Sequence, residues 1–264
     1  MKKYILSLGM AAVLFYTNSI SAQQWSIGAR GGLSIPNLTA GSGSANNSLS
    51  KGYSSRLGAG FCVFAEYQTS KLFSIQIMIE YSQQGGKKNG FQAFPVLAQM
   101  APLFGSQAPP YLYADFNSTA KFDYLMLPVL AKFGWDLGPK KKWRIYAGVG
   151  PFAGLLLRGK QVTEGTSQIY LDEARTTPVP LNPANPSQGL LTLSFDNTKN
   201  IKDRLRQFNF GLEGNVGIGY KIKRSTIFLE GGGNYGFIDI QKGTANGKNK
   251  SGAATVMIGY AYSL

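Results

Sequence analysis

General acid–base chemistry needs a group that titrates near neutral pH, and histidine is the side chain that does so without perturbation. The 264-residue chain contains none. Histidine-based nucleophilic triads and histidine metal sites are therefore excluded. What remains is a scatter of single charges: Arg30, Arg56, Lys132 and Arg144 against Glu66, Glu80, Glu213 and Glu230. Two carboxylates can divide acid and base roles, but these glutamates come singly, on polar faces that also carry arginine and lysine. In a narrow interior such opposite charges pair, which offsets their desolvation. The expectation is a structural luminal charge network, with no catalytic, cofactor-binding or metal-ligating residue. Cys62, the single cysteine, cannot form an internal disulfide and reads as a small packing residue. The run GVGPFAG at 148–154 touches a nucleotide-binding fingerprint. Its GxGxxxG spacing, with Pro151 in a continuing strand, denies it the helix N-terminus that such a site requires.

Those charges need strands to place them. The clearest is 208–220, FNFGLEGNVGIGY, where Phe208, Phe210, Leu212, Val216, Ile218 and Tyr220 alternate with small, polar or charged residues. Side chains alternate across a strand, so one face is greasy and the other is not. The same alternation runs through 25–35, 57–67, 73–81, 122–133, 143–158, 226–240 and 253–264. Pro128 removes a ladder donor from the least regular of these and predicts a bulge there. Short turns at 69–71, 136–142 and 221–225 alternate with connections at 36–54, 84–120, 159–206 and 241–251. Eight strands, with short turns at one end and long loops at the other, predict an all-β fold. It is an eight-stranded antiparallel up-and-down transmembrane β-barrel with long extracellular loops.

Alternation alone does not say which face is inside. A soluble ligand-binding barrel would turn its apolar face inward and its charges out. Here the polar faces are rich in Gly and Ser. Trp25, Tyr67, Tyr81, Trp143, Tyr220, Tyr235 and Tyr262 fall near strand ends, where interfacial girdles sit. The apolar faces are therefore expected to meet lipid. A barrel of eight strands is filled by its own side chains, which argues against an open pore.

The start of the chain gives the address. Lys2 and Lys3 precede an apolar run at 4–16, and small residues close it at 19–22. This is the pattern of a secretory signal peptide over residues 1–22, leaving residues 23–264 as one barrel domain. The formal net charge of +14 falls to +12 when the two lysines leave. After export nucleic acid is a poor partner, and acidic lipid head groups or lipopolysaccharide are better ones.

The connection at 84–120 is unusually apolar. Phe91, Phe94, Leu97, Met100, Leu103, Phe104, Tyr111 and Tyr113 all fall in it. An exposed patch of this kind marks an interaction site, so one reading is a loop that docks a partner protein. The other is a loop that folds over the barrel mouth and packs on itself, together with the Pro-rich TTPVPLNPANPSQG at 176–189.

With the strands placed, the chain resembles the PorT-like outer-membrane β-barrel family of the Bacteroidota. WSIGARGGLSIPNL is similar to the family's opening strand, YLMLPVLAKFGW to its strand with an isoleucine–proline step, and IYAGVGPFAGLLLRGK to its glycine–proline strand. QFNFGLEGNVGIGY, NYGFIDI and the closing VMIGYAYSL follow in the family's order. Met126 stands where the family often has an acid, and Leu264 where it often ends in an aromatic. The resemblance implies a barrel in the outer membrane; with the residues as read above, the expectation is a monomeric, non-enzymatic envelope scaffold or interaction protein. The resemblance also raises a link to protein secretion of the type IX kind. The alternatives are a narrow solute channel and a soluble periplasmic ligand-binding barrel.

Overall fold

In the computed structural model, residues 24–41, 47–97, 100–105, 108–245 and 247–264 are described; the expected signal peptide lies outside them. Thirteen strands occur among the described residues. They are β1 (Gln24–Ala40), β2 (Gly58–Gln68), β3 (Phe73–Lys88), β4 (Phe91–Pro95), β5 (Tyr111–Asp115), β6 (Asn117–Leu137), β7 (Trp143–Glu164), β8 (Thr166–Gln168), β9 (Thr192–Ser194), β10 (Asn197–Asn200), β11 (Phe208–Ile222), β12 (Ser225–Gly236) and β13 (Asn249–Ser263).

Eight of them close a ring in the order β7-β11-β12-β13-β1-β2-β3-β6, and β6 pairs back onto β7. The first strand joins the last, from Ser26 opposite Ser263 to Ala40 opposite Asn249. Every pairing in the ring is antiparallel. Closure leaves no free edge among the described strands, so apart from the interruption at Pro128 the backbone donors and acceptors in the span face a neighbouring strand, as hydrocarbon demands.

Alternation decides what faces where. On β11 Phe208, Phe210, Leu212, Val216 and Ile218 are exposed while Asn209, Glu213 and Asn215 are buried. Ile75, Ile77 and Ile79 on β3, and Ile227 and Leu229 on β12, continue the outer band. Covering such a side chain contributes about 1.5–3 kcal/mol, so a complete ring of them is stable only against an apolar medium. The apolar faces point outward, the reverse of a soluble ligand-binding barrel. Trp25 packs on Tyr67 and Trp143 on Tyr220, each at 4.9 Å between ring centroids, near the short-turn end.

Two sequence expectations change here. No register shift occurs at Pro128: the pairs Ile77–Val129 and Glu80–Met126 on either side of it keep one register with β3. Proline costs a ladder bond there, but its fixed φ is compatible with extended backbone. The shift falls between Asp123 and Tyr124 instead, where the strand leaves the apolar band. The connections 84–120 and 159–206 are also not loops throughout. β3 runs on to Lys88, and β6 and β7 extend to 21 and 22 residues, well past the roughly 9–11 that a span requires. Above the membrane band, β4 pairs with β5, β8 with β9, and β10 with β7. The result is a cap built on the long-loop end.

Candidate functional site

Four inward-facing positions on four strands meet in the lumen. Arg30 of β1 donates through Nη2 to Glu80 Oε2 of β3 at 2.9 Å and to Glu213 Oε1 of β11 at 2.9 Å. Its Nη1 donates to Glu230 Oε1 of β12, whose second oxygen accepts from the Tyr146 hydroxyl at 3.0 Å. All four charged side chains are buried, with Arg30 4% and Glu80 1% exposed. A guanidinium offers five donors in a flat fork, which is what allows one side chain to bridge three strands. Its Nε, Glu80 Oε1 and Glu213 Oε2 have no partner among the described residues.

The other expected charges are placed separately. Lys132 Nζ lies 2.8 Å from Glu66 Oε2 and 4.2 Å above the Tyr146 ring, while Ser74 Oγ donates to Glu66 Oε1 at 2.6 Å. Arg144 does not reach a glutamate; it pairs with Asp136 at 2.9 Å, and Lys221 joins the same carboxylate at 2.7 Å. Arg56 stands apart, donating to the Gln84 and Leu57 carbonyl oxygens at 2.8 and 3.1 Å. The arrangement is thus one cluster of four, one adjacent pair, and two arginines elsewhere. Sequence reasoning missed Asp136, because it was placed in a turn although β6 runs on to Leu137. It also missed Tyr146, whose inward position follows from alternation along β7.

The lumen is not wholly polar. Cys62, Phe64, Met78, Leu130 and Phe228 form a buried apolar cluster. A second cluster, with Phe122, Tyr124, Met126, Phe152 and Leu156, lies towards the cap. Glycine makes space for the rings: a Cβ on Gly259 would overlap Phe228, and one on Gly217 would overlap Tyr146.

The cap carries its own core. Phe94, Met100, Leu112, Ala114, Phe116, Ile169 and Val179 are buried together, with Leu191, Leu193 and Phe195 packed against them. The Phe116 and Phe195 rings stack at 4.2 Å, tying the 84–120 connection to the 159–206 one. Of the eight residues read as a docking patch, Phe94, Met100 and Tyr113 are buried, Phe91, Leu103, Phe104 and Tyr111 are partly buried, and Leu97 is exposed. The apolar residues of this loop are largely spent on holding the two connections together. Arg175 covers Phe91 from outside at 4.1 Å.

Chemically, the luminal cluster is a clamp across the barrel. Its carboxylates are turned onto Arg30, and among the described residues no group of three metal-ligating side chains gathers. Between the barrel and the cap lies a cavity of about 400 Å³.

Comparison with solved structures finds Ail, the attachment invasion locus protein of Yersinia pestis, at 10% identity, covering 92% of this chain and 100% of that one, with a TM-score of 0.37. Neisserial surface protein A is 12% identical, with 91% and 97% covered and a TM-score of 0.38. OprG from Pseudomonas aeruginosa is 10% identical, with 92% and 98% covered and a TM-score of 0.37. No curated protein matches the chain. The family described as the outer membrane protein beta-barrel domain matches residues 21–242, most of the chain. With an antiparallel ring of eight strands, an apolar outer band and a polar, clamped interior, the chain belongs to that outer-membrane β-barrel domain family.

Proposed function

We propose that this is a non-enzymatic, closed barrel that anchors its cap at the outer surface for contact with other envelope proteins. The observation that carries this reading is the division of the chain into a clamped lumen and a cap with a core of its own. Four side chains from four strands cross the lumen at Arg30, and apolar clusters flank them. A lumen filled by its own side chains suits an anchor. Segments held on a rigid scaffold are where binding concentrates. The barrel works as a monomer, with lipid and lipopolysaccharide around its apolar band. The PorT-like resemblance adds a secretion complex as the class of partner.

The test replaces residues 90–116 by a short Gly-Ser linker in the full chain, keeping the barrel strands. Proteins that co-purify from outer membranes, and exported proteins in the medium, are then compared with wild type. Loss of specific co-purifying proteins supports the reading. An unchanged set, together with stepwise conductance of the wild type in planar bilayers, would overturn it in favour of a narrow channel.

A further inference from the structure

The cavity between cap and barrel has the chemistry of a ligand site. Its volume of about 400 Å³ falls within the roughly 300–1,000 Å³ of small-molecule pockets. The apolar part of its wall is made by Leu38 and Phe122 from the barrel strands, Leu205 and Ile240 from the connections beside them, and Phe94 and Phe116 from the cap. Three cations also line it, Lys88, Arg204 and Lys242, against Asp203 as the acid among the described lining residues. Arg204 and Lys242 are exposed, so the cavity opens between the 202–205 turn and the 241–245 segment.

Lys88 is the informative group. It is 9% exposed, and no carboxylate pairs with it among the described residues. Its ammonium donates to the Ser48 carbonyl oxygen at 2.7 Å and lies 5.8 Å from the Tyr53 ring centroid. An ammonium has three donors, so two remain for a guest. A buried cation beside an apolar wall fits a molecule with one anionic end and one hydrocarbon body.

We propose that this cavity binds a single-chain amphiphile with an anionic head group, the head on Lys88 and the chain against Leu38, Phe122, Leu205 and Ile240. This does not depend on the cap's having a protein partner. The charged and titratable groups around Lys88 are Lys51 and Tyr53 on the 47–54 segment, Glu173 on the cap, and Asp203, Arg204 and Lys242 across the cavity. Burial, with Lys51 nearby, pushes the Lys88 ammonium down to about 8, Glu173 opposing. The grip on an anion should therefore weaken as pH rises through that value.

The probe is sodium octanoate, followed by ligand-observed NMR on the full chain in nanodiscs, with empty nanodiscs subtracted. Octanol and acetate serve as the uncharged and the chainless comparisons. Wild type is expected to bind octanoate, and more weakly at pH 9 than at pH 7. Lys88→Met, which keeps the apolar stem, should lose about tenfold or more in affinity, the effect of removing a charge-assisted hydrogen bond. It should also lose the pH dependence. Ala120→Phe, which fills the cavity, should abolish binding. Each variant is first shown to be folded by its heat-modifiable mobility. Equal binding of octanol or acetate, or octanoate binding unaffected by both substitutions, would overturn the proposal.

Discussion

Arg30 on β1 and Glu80 on β3 form a hydrogen-bonded ion pair of 2.9 Å, although β2 stands between their strands in the ring. Ladder bonds join neighbours; this contact joins strands that are not neighbours, through the lumen. With Glu213 and Glu230 it ties together strands from both sides of the closing β1–β13 seam. Removing the cation leaves three buried carboxylates facing one another without compensation. Arg30→Met is therefore expected to destabilise the folded barrel by about 3–5 kcal/mol, the cost of breaking a buried ion pair from one side. Denaturant unfolding in lipid vesicles measures it. Changing Glu80, Glu213 and Glu230 to glutamine in the same chain should restore most of the loss. A single variant as stable as wild type would mean that the clamp contributes nothing.

The cap should fail separately from the barrel. Leu112 is fully buried in the cap core, remote from the lipid band. Leu112→Ala leaves a cavity and is expected to cost about 2–5 kcal/mol of local stability. In intact cells the expected result is faster protease cleavage within 90–116 and 166–195, with the barrel still heat-modifiable. If cleavage is unchanged, or if the barrel unfolds with the cap, the two are not independent units.

How far the fold could be read from the chain depends on what surrounds each segment. Where lipid lies on one side and a narrow lumen on the other, every second residue is forced to be apolar. Spans such as 208–220 therefore announce themselves. Beyond Tyr81 on β3 and Leu157 on β7 the outer face meets water, the greasy alternation ends, and strand continues without its signature. That is why β3, β6 and β7 read too short. The luminal residues were legible as inward and charged, because alternation gives the face. Their partners were not. Arg30 meets Glu80, Glu213 and Glu230, and Arg144 meets Asp136, because of the stagger of strands around the ring. Stagger is set by the closed sheet as a whole and leaves no local mark.

Glycine within a strand usually weakens it, yet Gly217 has a positive reason to be there. It sits opposite Tyr146 across the β7–β11 ladder, and the nearest atoms an added Cβ would meet all belong to the Tyr146 phenol. That ring is held by its bond to Glu230 and by Lys132 above it, so it cannot swing aside freely. Gly217→Ala is expected to cost about 1–3 kcal/mol through overpacking. Tyr146→Val in the same chain should recover part of that cost, giving a favourable coupling in a double-mutant cycle. Strict additivity of the two changes would show that the ring and the glycine do not constrain each other.

The stability of the cap end depends on pH through Lys88, in the absence of any ligand. Lys88 lies at the cap end of β3, seven residues past Tyr81 and above the apolar band, so water-based titration applies to it. Burial is the main cause that lowers its ammonium from 10.5 to about 8; Lys51 adds to this and Glu173 opposes it. Below about pH 8 the lysine is charged in both the folded and the unfolded chain, and folding carries the whole cost of burying the charge. Between about 8 and 10.5 the unfolded chain still holds the proton while the folded one has released it. Stability therefore rises with pH across that window, since the unfolded state binds more protons. Lys88→Met has no such group to titrate. The quantity to measure is the difference in unfolding midpoint between wild type and Lys88→Met at pH 7.5 and at pH 10. Wild type should gain on the variant as pH rises. A difference that stays constant, or moves the other way, would mean that Lys88 is solvated and that the cavity wall beside it is open to water.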